Sequence, residues 1–385
     1  MECKNYQLSI IGGGLAGLTL AIQLADEGYS CILFEKNKYP FHKVCGEYIS
    51  MESWNFIERL GLNLSEMGLP KISRLHVSSP SGKLLKHKLA LGGFGISRYV
   101  LDSRLSEMAK SKGVQVFDDC RVSDVKFNDQ QFTIVSSKGN FYSEICVGAW
   151  GKKSNLDNKL RCVPPSVTPA MSLFLAEKTR NYVGIKYHVN IDFPNDLIEL
   201  HNFENGYCGI SKIEDNKYCL CYLTDSENLK SNNGDIKKME EKILFQNPIL
   251  KKYFEEAEFL FEEPLAISQI KIGYKSAVEN NILMLGDTAG NIAPLCGNGM
   301  SMAMKSSFEL NKMLDDYFKN KITRSQLENN YETFWKAQFK KRIQLSKTLQ
   351  KLLKNTSLTN LTISFLCTVP FLRNAIVKST HGKPF

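Results

Sequence analysis

Gly12, Gly14 and Gly17 stand in the spacing G-x-G-x-x-G, directly after the apolar run Leu8, Ile10, Ile11 and directly before the helical stretch Leu18 to Asp26. That context gives each glycine a task. The first permits a tight turn, the second lets a pyrophosphate approach the backbone, and the third lets the helix pack on the strand. Leu15 and Ala16 fill the turn, and the helix N-terminus behind them offers N–H groups and a positive dipole end to phosphates. Glu35 closes a second apolar run, Cys31 to Phe34, about twenty residues on, where an acid can accept from a ribose hydroxyl. Strand, glycines, helix and acid together predict a dinucleotide site. The alternative is a glycine-rich turn in some other α/β protein.

Two further constellations could do chemistry. One is the loop Phe41-His42-Lys43-Val44-Cys45-Gly46-Glu47, which brings a thiol, an imidazole and a carboxylate within a few residues. The other begins at Asn281, where a buried strand ends on Gly286-Asp287; Pro294-Leu295-Cys296-Gly297-Asn298-Gly299-Met300 then leads into a helix through Met304 and Leu310. The eleven cysteines show neither C-x-x-C nor zinc-finger spacing, so most read as small buried hydrophobes in a reducing cytosol, and no metal site is expected.

The elements that must position these residues are legible in outline. A helix from Ser50 to Leu60 is closed by Gly61, and Ile72 to Ser79 with Lys83 to Leu89 form a hairpin. Val114 to Phe117 is a short strand. Val122 to Phe127, Phe132 to Ser136 and Phe141 to Val147 form a small meander. From Val167 to about Tyr274 the pattern becomes short β-prone segments: Met171 to Ala176, Tyr182 to Ile191, Leu197 to Phe203, Tyr207 to Ile210 and Tyr218 to Leu223. Asp235 to Leu260 reads as helix, with Met239, Ile243, Leu244, Ile249 and Tyr253 on one apolar stripe that belongs to the core.

The opening fingerprint followed by K-V-C-G-E resembles the FAD-dependent oxidoreductases that group geranylgeranyl reductases, flavin halogenases and aromatic hydroxylases of the p-hydroxybenzoate hydroxylase fold. The segment from Asn281 to Met300 closely resembles the second FAD motif of that group, in which an aspartate binds a ribityl hydroxyl and a G-x-G-M turn presents a helix N-terminus to the flavin. The resemblance implies an α/β fold: a glutathione-reductase-like (Rossmann) FAD-binding domain with an inserted antiparallel β substrate domain and a helical C-terminus. Its expected divisions are residues 1–70, 95–165 and 275–330 for FAD, 71–94 and 166–274 for substrate, and 331–385 for the helical segment.

Residue by residue, the resemblance implies non-covalent FAD held by Gly12, Gly14, Leu15, Ala16, Gly17, Glu35, Lys36, Lys43, Val44, Cys45, Gly46, Arg98, Val122, Gly286, Asp287, Pro294, Gly297, Asn298, Gly299 and Met300. Cys45, Glu47 and His42 are the candidate catalytic residues, with the isoalloxazine between the Cys45 and Cys296 loops. Arg98 either meets a phosphate or ribityl oxygen or is a surface arginine at a helix start. Trp150 in Gly148-Ala149-Trp150-Gly151 replaces the aspartate of the hydroxylases' G-A-D-G turn. The tryptophan-proline element of reductases and halogenases is missing as well, since its nearest match is Gly206-Tyr207-Cys208-Gly209-Ile210-Ser211.

At 385 residues the chain can hold two domains or one elaborated domain. Its net charge of +9 sits mostly in a C-terminal helical stretch, without a basic groove interleaved with aromatics, so nucleic acid is not an expected partner. No secretion signal precedes the first strand, which points to a cytoplasmic protein with membrane association as a variant of that reading. The basic stretch Tyr331 to Leu353 and the apolar Leu361 to Leu372, too short to span a bilayer, either cap the fold or make a peripheral membrane contact.

Three functions follow from the resemblance. The first is a monooxygenase that uses NAD(P)H, bound transiently because no third glycine fingerprint exists, to hydroxylate or epoxidise a hydrophobic aromatic or lipid-like molecule. The second is a reductase of isoprenoid double bonds; the third is a flavin-binding protein without turnover. The monooxygenase leads because the tryptophan-proline element typical of prenyl reductases is absent.

Overall fold

The structure is a computed structural model that describes residues 5–152, 154–160, 181–352 and 355–385. The chain opens with β1 (Asn5–Ile11), α1 (Leu15–Asp26), β2 (Cys31–Phe34), β3 (Tyr48–Ser50), α2 (Trp54–Leu60), β4 (Lys71–Ser78), β5 (Leu84–Gly95) and α3 (Arg98–Ser111). Then come β6 (Gln115–Phe117), β7 (Val122–Asn128), β8 (Gln131–Ser136), β9 (Gly139–Gly148) and α4 (Asn155–Leu160). The middle holds β10 (Tyr182–Asn190), β11 (Leu197–Phe203), β12 (Gly206–Lys212), β13 (Tyr218–Asp225), α5 (Ser226–Lys230), α6 (Ile236–Ile243), α7 (Pro248–Glu256), β14 (Glu258–Phe259) and β15 (Leu265–Ile270). The last part comprises β16 (Gly273–Tyr274), β17 (Val278–Glu279), β18 (Ile282–Met284), β19 (Gly290–Asn291), α8 (Gly299–Phe318), α9 (Arg324–Leu352), α10 (Thr356–Thr368) and α11 (Pro370–Thr380).

Two sheets divide the work. The first runs β17-β18-β9-β1-β2-β6, and its strands β18, β9, β1, β2 and β6 are parallel. The last four residues of β1 and all of β2 are buried on both faces, which is why Leu8, Ile10, Ile11 and Cys31 to Phe34 read as unbroken apolar runs rather than alternations. β1 lies between β9 and β2, so its carboxyl end is a point where strand order reverses and ligands of open α/β sheets bind. α1 covers this sheet and packs against α8; Leu15 to Leu24 are all buried, and the Thr19 and Ser307 hydroxyls meet at 2.7 Å.

The second sheet runs β14-β10-β13-β12-β11-β4-β5-β3, with β15 also on β10. It is antiparallel except between β11 and β4. Its own core gathers Val183, Ile185, Leu220, Tyr222, Met239 and Leu244. The expected continuous helix from Asp235 to Leu260 is broken instead into α6, a short 3₁₀ turn and α7, ending before β14. The break has a local cause: Asn247 caps Ile249 N–H while Pro248 occupies the first helical position, where its missing N–H costs nothing. The expected strand from Met171 to Ala176 lies outside the described residues.

Candidate functional site

One cavity of about 810 Å³ begins at the carboxyl end of β1, passes beneath the second sheet and continues to α10 and α11. At its first end Gly12, Gly14, Leu15, Ala16, Glu35 and Lys36 form the lining. Gly12 has φ +117°, and a Cβ there would lie 2.2 Å from the Ala149 carbonyl oxygen; one at Gly17 would lie 2.1 Å from the Gly12 oxygen. Both glycines are therefore required by packing. Gly14 differs: a Cβ there would meet only Arg98 Nη2 at 3.5 Å and Lys43 Nζ at 3.7 Å. That space, next to two cations and an α1 N-terminus that no side chain caps, fits a diphosphate. The Glu35 carboxylate accepts from Gly13 N–H at 2.9 Å and from Asn37 N–H at 3.1 Å, and so braces the turn it follows.

Arg98 opens α3, where the Ser97 hydroxyl caps Val100 N–H. Its guanidinium donates twice to Asp102, at 2.8 and 2.7 Å, and Lys43 reaches the same carboxylate at 2.9 Å. Burial alone would raise the Asp102 pKa, but the two cations outweigh it and hold the carboxyl below its usual range. The arginine is thus fixed by a buried acid one helical turn away, faces Gly14 and is not a surface arginine.

The second motif lines the cavity through Gly286, Asp287, Pro294, Gly297, Gly299 and Met300. Asp287 is half-buried and makes no hydrogen bond or ion pair among the described residues. Burial raises its pKa, with Lys152, Lys275 and Arg98 pulling the other way. An unpartnered carboxylate at this place fits a sugar-alcohol hydroxyl. Gly297 is left-handed at φ +64°, the turn that aims α8 at the cavity.

The K-V-C-G-E loop lies between the two motifs. Lys43, Val44, Cys45, Gly46, His42 and Glu47 all border the cavity. Cys45 Sγ meets Met300 Sδ at 3.6 Å, so the loop and the Gly297 to Met300 turn share one wall. Cys45 and Cys296 are both free thiols. Glu47, with φ +55°, is fully buried. Its carboxylate accepts from Lys186 Nζ at 2.5 Å, from Arg98 N–H at 2.8 Å and pairs with His188 Nε2 at 2.7 Å. Burial would raise its pKa, yet the His188 hydrogen bond and the Lys186 charge more than offset that and keep it ionised. Lys186 also donates to the Lys43 carbonyl at 3.3 Å, and Cys219 Sγ to the Cys45 carbonyl at 3.2 Å. Strands β10 and β13 therefore grip the loop from beneath. His42 stacks on Tyr99 with ring centres 4.5 Å apart; burial, then the Lys186 charge, bring its pKa down to about 4, so it is neutral at neutral pH.

Three residues expected at the cofactor do not line the cavity. Val122 starts β7, opposite Ser136 in the meander that hangs off β9, away from the carboxyl ends of the parallel strands. Gly17 serves the helix–strand contact, and Asn298 is buried with its side-chain amide donating to the Thr380 carbonyl at 2.8 Å, which docks the end of α11 on the flavin-type turn. Sequence reasoning missed Lys186 and His188, and it named Asp102 in the Arg98 segment without giving it a role. The first two stand two apart in β10 and so share a face of the strand, and Asp102 stands four after Arg98 on one helix face, signals that were present. It also missed that α10 and α11 wall the cavity, through Ile363, Leu366, Ile376 and Val377.

Residues 10–44 match the NAD(P)-binding Rossmann-like domain family. The chain is 25% identical over 372 residues to conditioned medium factor receptor 1 of Dictyostelium discoideum, covering 89% of this chain and 70% of that protein. It is 22% identical over 357 residues to the digeranylgeranylglycerophospholipid reductase of Methanococcus vannielii, covering 86% and 83%. Its relatives also include an FAD-dependent monooxygenase of Penicillium rubens and a kynurenine 3-monooxygenase of Flavobacterium psychrophilum. The fold matches that of a geranylgeranyl bacteriochlorophyll reductase-like protein of Thermoplasma acidophilum with a TM-score of 0.77 at 15% identity, over 98% of this chain and 96% of that one.

Proposed function

We propose that this FAD-dependent oxidoreductase is a monooxygenase of a lipid-like substrate, with NAD(P)H as transient electron donor. The observation that carries the reading is the single cavity joining the cofactor cradle to α10 and α11, whose apolar wall suits a long chain better than a lone ring. Bound FAD would supply the redox chemistry and the activation of oxygen. The chain's own part is to hold the diphosphate beside Arg98, Lys43 and the α1 N-terminus, to offer Asp287 to the ribityl chain, and to keep the reacting end dry. Cys221 and Cys296, which line the cavity, have thiols pushed up to about 12 by burial, so they stay neutral and part with protons reluctantly. Saturating an isolated alkene takes a proton as well as a hydride, whereas oxygen insertion takes a dry, neutral pocket.

The second reading, saturation of prenyl double bonds, is favoured by the archaeal reductase among the relatives. One experiment separates them. Holoenzyme reduced anaerobically is mixed with an unsaturated prenyl lipid, first without and then with oxygen, while flavin absorbance is followed and the lipid is weighed by mass spectrometry. A monooxygenase leaves the flavin reduced until oxygen arrives and adds one oxygen atom to the lipid. Anaerobic reoxidation with a gain of two hydrogen atoms would overturn the first reading in favour of the second.

We infer further that the substrate enters from a membrane surface. Phe371, Leu361 and Phe365 on the helices that wall the cavity are 83%, 68% and 52% exposed, and Lys340, Lys341, Lys351 and Lys378 on α9 and α11 are exposed as well. No single helix among the described residues is long and apolar enough to cross a membrane, and the α10–α11 pair is bent by 109°, which suits an element lying in an interface. The protein is expected to co-sediment with anionic vesicles and to be released by salt. Replacing Phe371 and Leu361 by aspartate removes two apolar anchors of roughly 1.5–3 kcal/mol each and should weaken the association more than tenfold. Unchanged sedimentation of that double variant would leave α10 and α11 only their role as a wall.

A further inference from the structure

The apolar wall contributed by α11 is interrupted by one cation. Arg373 lines the cavity, its Nε is buried without a hydrogen-bond partner, and its guanidinium has no ion pair among the described residues. This sets it apart from Arg98, whose charge is answered by Asp102. Nearby on β5, burial and then the charge of Arg373 hold His87 below its usual pKa, so that neighbour adds no second cation beside the arginine. A guanidinium keeps its charge at any working pH, and an unanswered one in a cavity is costly unless an anion joins it.

Helix α11 also works as a ruler. Its last residue, Thr380, is docked on Asn298 beside the Gly297 to Met300 turn, and His381 behind it still borders the cavity. Arg373 stands seven residues earlier, about 10 Å back along the axis at the helical rise. Ile376 and Val377 fill the wall between them. At the other end α10 is held to β5 by the Cys367 thiol on the Leu84 carbonyl, so the wall is fixed on both sides.

We propose that Arg373 anchors the anionic head, phosphate or carboxylate, of a chain-bearing substrate whose tail runs along α11 to the flavin. This rests on the cavity reading of the function and adds the charge class and the orientation of the molecule: head outward, tail inward, with the reacting bond in the tail. Arginine suits the task because its planar fork can donate two hydrogen bonds to a phosphate or carboxylate at once.

The test uses FAD-loaded protein and three probes: geranylgeranyl phosphate, geranylgeraniol and inorganic phosphate, with binding read from the flavin spectrum. Wild type is expected to bind the phosphate ester at least about tenfold more tightly than the alcohol. Arg373→Gln should bring that ratio close to one, and Arg373→Lys should restore part of it. Inorganic phosphate at equal concentration should compete weakly, because the chain supplies most of the affinity. A wild-type ratio near one overturns the anchor while leaving the cavity reading standing, and it needs no variant to fold. A ratio that survives Arg373→Gln overturns it too. Inorganic phosphate competing as strongly as the ester would make the site one for free anions. Failure of both chain-bearing probes to bind would overturn the cavity reading as well, and so distinguishes the two.

Discussion

Purified with valine in place of Gly14, the protein is expected to be folded and colourless. Each of the three fingerprint glycines is needed for a different reason, and only one of those reasons concerns the ligand. An added Cβ at Gly12 would press on the Ala149 carbonyl at 2.2 Å from a left-handed backbone, and one at Gly17 would press on the Gly12 oxygen at 2.1 Å. Both are backbone contacts that cannot yield, so alanine at either place should cost the fold. At Gly14 nothing lies closer than 3.5 Å, and the nearest atoms are the mobile ends of Arg98 and Lys43. The valine methyls then fill only the space a diphosphate needs. Losing several charge-assisted hydrogen bonds at roughly 1.5–3 kcal/mol each should weaken FAD binding by at least a hundredfold. Two measurements check this: the ratio of flavin to protein after purification, and the change in melting temperature when FAD is added. Wild type should be yellow and gain about 2.7 kcal/mol at a hundredfold excess of FAD over Kd. The variant should gain nothing. A yellow, fully loaded Gly14→Val protein would move the diphosphate away from this turn, and a wild type that cannot be reconstituted with FAD would remove the flavin altogether.

That so specific a prediction can be made reflects how local the first motif is. The turn at Gly12 to Gly17, the strand before it and the acid after it are specified within one short βαβ unit, and local rules suffice to read them. The same holds for Gly286, Asp287 and the Gly297 turn. Strands β10 to β13 of the inserted sheet were legible as short β-prone segments set off by polar turn residues, although β11 and β12 are buried at nearly every position. Their partners were not, since the pairing of β4 with β11 is set by tertiary packing across more than a hundred intervening residues.

What escaped the sequence is wherever distant elements meet. Glu47 reads locally as an acid in a reactive loop, and only the arrival of β10 from the second sheet turns its carboxylate into a buried counter-ion. Val122 reads as the start of a strand near the cofactor, but the meander carries it away from the parallel strands' carboxyl ends. The tail read as a cap or a membrane contact. That its inner face completes the cavity depends on the Asn298 to Thr380 contact, between residues far apart in the chain. In each case the residue type was informative and its surroundings were not inferable.

The buried Glu47 cluster gives the second large effect. Lys186→Met is expected to destabilise the protein by about 3–5 kcal/mol, the usual cost of leaving one member of a buried ion pair behind. Glu47→Gln should cost a similar amount, because it leaves the Lys186 ammonium buried with no carboxylate. The two together should cost less than their sum, since the double variant buries no unpaired charge, and a double-mutant cycle by urea denaturation measures the difference. The sign of the pH dependence follows from the same contacts. The folded-state pKa of Glu47 is depressed, so its contribution is present above the unfolded carboxylate value and is lost as pH falls through the folded one. That of Lys186 is raised: burial opposes it, but Cys219 and Glu47 outweigh burial, so its contribution is complete below the unfolded value of about 10.4 and fades as pH climbs past the folded one. Lys186→Met takes away one of the charges that keep Glu47 ionised, so the acid limb of the stability curve should move to higher pH. It also frees the Lys43 carbonyl at the start of the Cys45 loop, and FAD affinity should drop beyond what lost stability explains. A Lys186→Met protein as stable as wild type from neutral pH down to the acid limb would show that the loop is held by packing alone.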